Sequence, residues 1–196
     1  MPDELEEPFM LRVLLTTTAL AIAICGCERQ KDPGQVSEER SRKMTISVSS
    51  SAFPEGGMIP ARYTGDGADV SPPLTWTGIP EGIQSIALIC EDPDAPGCTW
   101  VHWVMWNIPP GLNGLPENVP PDPELPDGSR QGVTDFRQPG YGGPCPPSGT
   151  HRYYFRVYAL DAMLDLPGNA GKAGLLKAMR GRLLAEGQLM GKYSRR

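Results

Sequence analysis

Ile83-Gln84-Ser85-Ile86-Ala87-Leu88-Ile89-Cys90 is an almost unbroken apolar run. It is too short for a comfortable core helix and opens on a β-branched residue, so it reads as a central strand covered on both faces. A second run follows, Val101-His102-Trp103-Val104-Met105-Trp106-Asn107-Ile108. Its even positions, His102, Val104, Trp106 and Ile108, share one face under strict alternation, and Val101, Trp103 and Met105 share the other. In Arg152–Leu160, Tyr153, Phe155, Val157 and Ala159 face one way, and Arg152, Tyr154, Arg156 and Tyr158 the other. Ile46 and Val48 give Met44–Ser49 the same alternation.

Clusters of Gly, Pro and Asp punctuate these runs: Pro54–Gly57, Ser71–Pro73, Gly78–Gly82 and Pro109–Gly114. The 23 glycines and 22 prolines follow no repeat period and sit between apolar runs, so they mark turns rather than disorder. Short strands with such punctuation predict a mainly β domain, a sandwich or barrel. Leu115–Arg137, polar and proline-rich, reads as a long surface loop. After Pro167-Gly168-Asn169, the composition turns helical. Leu175, Leu176, Met179, Leu183, Leu184 and Leu189 approximate one stripe and predict a C-terminal helix over Ala170–Met190, capped by Asn169.

The 196 residues suffice for one domain and a tail. The net charge of -5 is concentrated at the start, where Asp3, Glu4, Glu6 and Glu7 face only Arg12. No basic face is in prospect, so no nucleic-acid partner is expected. Leu11–Ile24 is apolar apart from Arg12 and three threonines. That falls short of the roughly 20 apolar residues of a membrane span and fits the core of an export signal. The acidic Pro2–Pro8 stretch does not suit such a signal, and Met10 is the alternative start. Ile24-Cys25-Gly26-Cys27 resembles a bacterial lipobox, with Cys27 as the lipid-accepting residue. The expectation is therefore a signal segment over 1–27, a charged tether over 28–43 and a domain over 44–196. The mature protein would be exported and held at a membrane by lipid on Cys27.

Candidate chemistry centres on the only two histidines, His102 and His151. Each follows a loop of rigid turn residues, Glu91–Gly97 and Gly140–Thr150. Prolines would fix these loops, and glycines would let the backbone approach a ligand. The residues alone leave four readings open. The histidines could be satisfied core residues, or join Asp92 and Asp94 in a metal site. They could assist Cys98, Cys145 or Ser148 as a nucleophile, or line a pocket for an anion. There is no paired CxxC zinc pattern and no GxSxG elbow, and no cofactor is implied.

Asp92-Pro93-Asp94-Ala95-Pro96, Val101-His102-Trp103, Gly142-Gly143-Pro144-x-Pro146-Pro147 and His151-Arg152-Tyr153 resemble, in order and spacing, the signature blocks of the phosphatidylethanolamine-binding (Raf-kinase-inhibitor-like) family. Ser71–Trp76 and a closing helix with Leu183, Ala185, Glu186 and Gly187 resemble its bacterial branch. The resemblance covers about Met44 to Arg196. It implies a two-sheet antiparallel Greek-key sandwich with a small end pocket for phosphate, acetate or phosphorylated head groups. By position, Asp92, Asp94, Pro96, His102, Gly143, Pro144, Pro146, His151 and Tyr153 fall at that pocket, with no metal. The function implied is binding of a small anionic ligand, phosphate-bearing or carboxylate, with catalysis not required. An inhibitor or protein-interaction module and a hydrolase using Cys or Ser beside His151 are the alternatives, and homodimerisation is left open. The animal proteins' C-terminal helix is not matched, so kinase inhibition is not implied. Cys98 and Cys145 each lie in one of the two pocket loops, and an oxidising compartment would favour a disulfide between them.

Overall fold

The structure, a computed structural model, describes residues 44–195. The expected signal segment, tether and Cys27 lie outside the described residues. Among those described, no helix is long and apolar enough to cross a membrane.

The strands are β1 (Met44–Thr45), β2 (Ser47–Ser49), β3 (Leu74–Thr77), β4 (Ser85–Asp92), β5 (Trp100–Ile108), β6 (Gly114–Leu115), β7 (Arg130–Gln131), β8 (Thr150–Leu160) and β9 (Leu183–Ser194). One α-helix, α1, spans Lys172–Ala178. Six strands form a sheet in the order β1-β9-β8-β4-β5-β7, and β2-β3-β6 form a smaller sheet. All pairings are antiparallel except β1 with β9. Strand β8 lies beside β4 after the long return from β5, as a Greek-key path requires. Among the described residues the protein is thus a mainly β, two-sheet structure with one α-helix.

The pattern of apolar residues explains the layering. All eight residues of β4 are buried. One face of the large sheet packs Leu88, Cys90, Trp103, Met105, Phe155 and Val157 against Ile46, Val48, Leu74 and Trp76 of the small-sheet side. The other face packs Ala87, Ile89, Val104 and Trp106 against Leu164, Leu175 and Met179 around α1. Strand β3 is covered on one face only and alternates, with Leu74 and Trp76 buried and Thr75 and Thr77 exposed.

Three expectations change. The helix occupies only Lys172–Ala178, and the stretch expected to continue it is the 12-residue strand β9. Gly181, at φ 74°, turns the chain after the helix. From Leu183 onward the small or apolar residues Ala185, Gly187, Leu189 and Gly191 recur every second position, a strand period hidden by leucine-rich composition. Gly187 is required there, because a Cβ would lie 1.9 Å from the Ile46 carbonyl oxygen.

The supposed surface loop Leu115–Arg137 carries β7 and buries Val119, Leu125, Ser129 and Gln131. Gln131 Oε1 accepts from the buried Trp103 Nε1 at 2.7 Å, and its Nε2 donates to Pro120 and Asp122 carbonyls.

Strict alternation also fails in β5. Ile86 pairs with Ile108 but Leu88 with Met105, so β5 holds one extra residue there. Asn107 takes φ 56° at this bulge, and Ile108 joins the layer of Trp103 and Met105 rather than that of Val104. Asn107 Nδ2 donates to the Leu164 carbonyl at 3.0 Å and its Oδ1 accepts from Leu164 N–H at 2.8 Å. Asn107→Ala should destabilise the domain by about 2 kcal/mol, from two lost hydrogen bonds and a left-handed backbone that Ala resists. Asn107→Gly should cost about 1 kcal/mol less, because Gly accepts that backbone. Urea unfolding midpoints of the three proteins check both; identical Ala and Gly variants would mean that the φ angle is not a source of strain.

Candidate functional site

Strand β4 delivers Asp92 at its last position, and β8 delivers His151 and Tyr153 near its start on the layer that holds Phe155. His102 is the less obvious case. On strict alternation it would share the far face with Val104 and Trp106. Cys90, however, pairs with Trp103 while Glu91 pairs with Val101, so His102 is an extra residue in β5. This second bulge swings His102 to the side of Tyr153, and the two rings meet edge to face at 5.2 Å.

Asp92, His102, His151 and Tyr153, all buried, are the polar lining of a cavity of about 290 Å³ at the end of the sandwich. Ala95, Pro96, Trp100, Phe136, Pro146 and Pro147 supply its apolar wall, and Cys145 also lines it. His151 Nδ1 donates to Asp92 Oδ2 at 2.7 Å. Asp92 Oδ1 accepts from Asp94 N–H at 2.8 Å, so both carboxylate oxygens are engaged. His102 Nδ1 donates to the Gly142 carbonyl at 2.6 Å, which fixes its tautomer when neutral. In each histidine Nε2 is the nitrogen left for a ligand. The Tyr153 hydroxyl is fully buried, meets no partner at good hydrogen-bond geometry among the described residues, and lies beside the Asp92 carboxylate. Burial first, then the neighbouring Asp92 carboxylate, push its ionisation far above the ordinary phenol range, so it stays a donor.

Of the residues expected at the pocket, Asp92, Pro96, His102, Pro146, His151 and Tyr153 line it together. Asp94, Gly143 and Pro144 do not. Asp94 instead takes the Arg152 guanidinium on both oxygens, at 2.9 and 2.6 Å, and Arg152 N–H at 3.0 Å. Those hydrogen bonds hold its carboxyl down at about 2. It fastens the first loop to β8. Asp94 is thus committed to Arg152 and does not line the cavity with the two histidines.

Gly143 N–H donates to Asp69 Oδ1 at 2.7 Å, and a Cβ there would meet Thr64 Cα at 2.7 Å. Its smallness serves packing rather than ligand approach. The Pro144 carbonyl accepts from Gly65 N–H at 2.9 Å. The Cys98–Cys145 disulfide is not formed: both thiols are free and exposed, and only Cys145 lines the cavity. Neither Cys145 nor Ser148 is hydrogen-bonded to His151 among the described residues, so no nucleophile–base pair is assembled.

Sequence reasoning missed Trp100 and Phe136. Their rings meet edge to face at 5.6 Å, and Phe136 meets His102 at 5.4 Å. Phe136 arrives from the segment read as surface loop. Asp135 holds that segment by accepting from Val101 N–H at 2.7 Å. No spacing in the sequence marks that tie.

A two-sheet β domain with a histidine-lined end cavity is the class that the geometry defines. The sequence profile described as phosphatidylethanolamine-binding protein matches residues 49–194, and this chain belongs to that family. A UPF0098 protein of Methanothermobacter thermautotrophicus is 55% identical over 150 residues, covering 76% of this chain and 99% of that protein. The crystal structure of a phosphatidylethanolamine-binding protein homologue from Chlamydia trachomatis superposes with a TM-score of 0.72 at 36% identity, covering 79% of this chain and 100% of that one. Escherichia coli YbcL, described as a member of the mammalian family, gives 0.72 at 34% identity, covering 77% and 99%. The archaeal relative shows that membership alone does not mark a bacterial lipoprotein.

Burial pushes the His102 imidazole below the ordinary histidine value of 6.5, outweighing the Gly142 hydrogen bond and the nearby Asp92. The unfolded chain therefore takes up a proton at about pH 6.5 that folded His102 refuses. Stability from this group is present above that pH and is lost as pH falls toward the depressed folded value. Imidazole NMR titration should place His102 below 6.5, and His102→Gln should flatten the acid side of the thermal stability profile over that window. A His102 midpoint at or above 6.5 would contradict the burial argument.

Proposed function

We propose that the end cavity binds a small anionic ligand, phosphate-bearing or carboxylate, and that the domain serves as a binding protein held at a membrane by lipid on Cys27. The observation that carries the binding reading is the buried Tyr153 hydroxyl, beside Asp92 but without a well-formed hydrogen bond among the described residues, in one cavity with His102 and His151. A buried donor left unmade costs about 1–3 kcal/mol, and an anion placed in the cavity would accept its hydrogen bond. Each histidine has Nδ1 occupied, so Nε2 donates to an anion only when the ring is protonated. Binding therefore takes up protons, and the ligand raises the His102 pKa. Asp92 beside His151 keeps the charge of that pair balanced. The apolar wall excludes water, which strengthens these contacts.

The anchor reading rests on Ile24-Cys25-Gly26-Cys27 and on the charged stretch before the first strand. Hydrolysis is the weaker alternative, because no nucleophile is hydrogen-bonded to His151. No particular surface of the described domain favours the inhibitor reading.

Calorimetric titration with inorganic phosphate tests the cavity. Affinity should rise as pH falls through the histidine range near 6.5. Tyr153→Phe should lose about tenfold, the weight of one charge-assisted hydrogen bond, and His151→Ala should lose more. No phosphate or acetate binding by wild type, or equal binding by all three, would remove the reading. Mass spectrometry of the native protein should find Cys27 as the acylated first residue, with the two or three chains that stable anchoring needs. An unacylated Met1 or Met10 terminus would overturn the anchor.

A further inference from the structure

Three domain cysteines are free, and their settings differ. Cys90 is 1% exposed, and burial raises its thiol pKa well above the ordinary value, so it is inert. Cys98 is exposed but does not line the cavity. Cys145 is exposed and lines it, between Pro144 and Pro146, which restrict its backbone. Gly65 packs beside it, where a Cβ would lie 3.3 Å from Cys145 Cβ. Tyr153 lines the same cavity, and its fully buried hydroxyl, beside Asp92, meets no partner at good hydrogen-bond geometry among the described residues. An exposed thiol on the cavity wall and a buried donor inside are the two halves of a site for a molecule bearing both a sulfur and an acid.

We propose that Cys145 is a thiol-exchange site that captures low-molecular-weight disulfides bearing carboxylates and so closes the cavity to other anions. The proposal deepens the anion-binding reading and rests on it. The Cys145 thiolate attacks one sulfur of the small disulfide. The disulfide's S–S bond breaks, a new S–S bond joins Cys145 to half of the molecule, and the other half leaves as a thiolate that takes up the proton lost by Cys145. The disulfide is the oxidant, and no other is needed. The tethered half places its carboxylate among His102, His151 and Tyr153, which both favours its capture and blocks the site. A thiol reductant reverses the step and reopens the cavity.

Dithiodipropionate and cystamine, disulfides of equal chain length and opposite charge, provide the test on the full-length protein. Peptide mass spectrometry follows modification of Cys145 and Cys98 in the same sample. The dithiodipropionate-to-cystamine rate ratio at Cys145 should exceed the same ratio at Cys98, which carries the intrinsic difference in leaving thiol, by about tenfold, the worth of one charge-assisted hydrogen bond of about 1.4 kcal/mol. Tyr153→Phe and added phosphate should each reduce the preference at Cys145, and the fully modified protein should lose phosphate binding until reduced. The same rate ratio at both cysteines, or phosphate binding that survives full modification, would each overturn the proposal. Phosphate titration of the reduced wild type reads the anion site by itself, so failure of that reading is told apart from failure of the thiol step.

Discussion

Strand β4 has no solvent-facing side, and the rest of the domain is arranged to keep it that way. Its ladder runs between β5 and β8, the small sheet covers one face and α1 with its flanking segments covers the other. A strand in that position must find all its backbone partners in its neighbours, because no water can supply them. The ladder is nevertheless broken twice on the β5 side, once at each end. One break uses Asn107 in a left-handed backbone whose side chain ties the strand to Leu164. The other carries His102 across to the pocket side. The two irregularities bracket a regular core, and the one at the β4 C-terminal end builds the site.

The polar groups around the cavity divide into those that hold it and those left over. Asp94, Asp69 and Asp135 each fasten one loop, to Arg152, to Gly143 and to Val101 respectively. Gly142 exchanges two bonds with His102, its N–H donating to the His102 carbonyl at 2.9 Å and its own carbonyl accepting from Nδ1 at 2.6 Å. The loops are therefore preorganised by backbone contacts, with prolines limiting what else they can do. What stays uncommitted is Nε2 of each histidine and the Tyr153 hydroxyl. The proline- and glycine-rich loops thus act as scaffolding, while the ligand-facing donors come from strand ends.

Much of this was legible in the residues. The apolar run Ile83–Cys90 announces a strand buried on both faces, and β4 is one. The alternation of Tyr153, Phe155, Val157 and Ala159 marks the inner face of β8. The two rigid loops ahead of the two histidines, with the order of motifs they carry, point to one family and to one end of one sandwich. Where reading failed, a tertiary reason is visible. Leucine-rich composition after Asn169 reads as helix, yet Leu183–Ser194 lies along β8, where pairing and the close approach of Ile46 to Gly187 outweigh propensity.

By itself the sequence determined that this is a β-rich domain with two histidines behind stiff loops, because side-chain period and turn chemistry are local properties of the chain. Only the tertiary structure shows how the two histidines, expected at one pocket from the family motifs, come to share it. Period-two reading sets His102 on the face away from His151, and a single extra residue in β5 reverses that. A bulge is a mismatch between two strands, so it has no signature in either one alone. The same holds for Phe136, brought to the cavity by a tie between Asp135 and Val101. It holds for the Tyr153 hydroxyl too: that it lacks a well-formed hydrogen bond among the described residues depends on every segment that surrounds it.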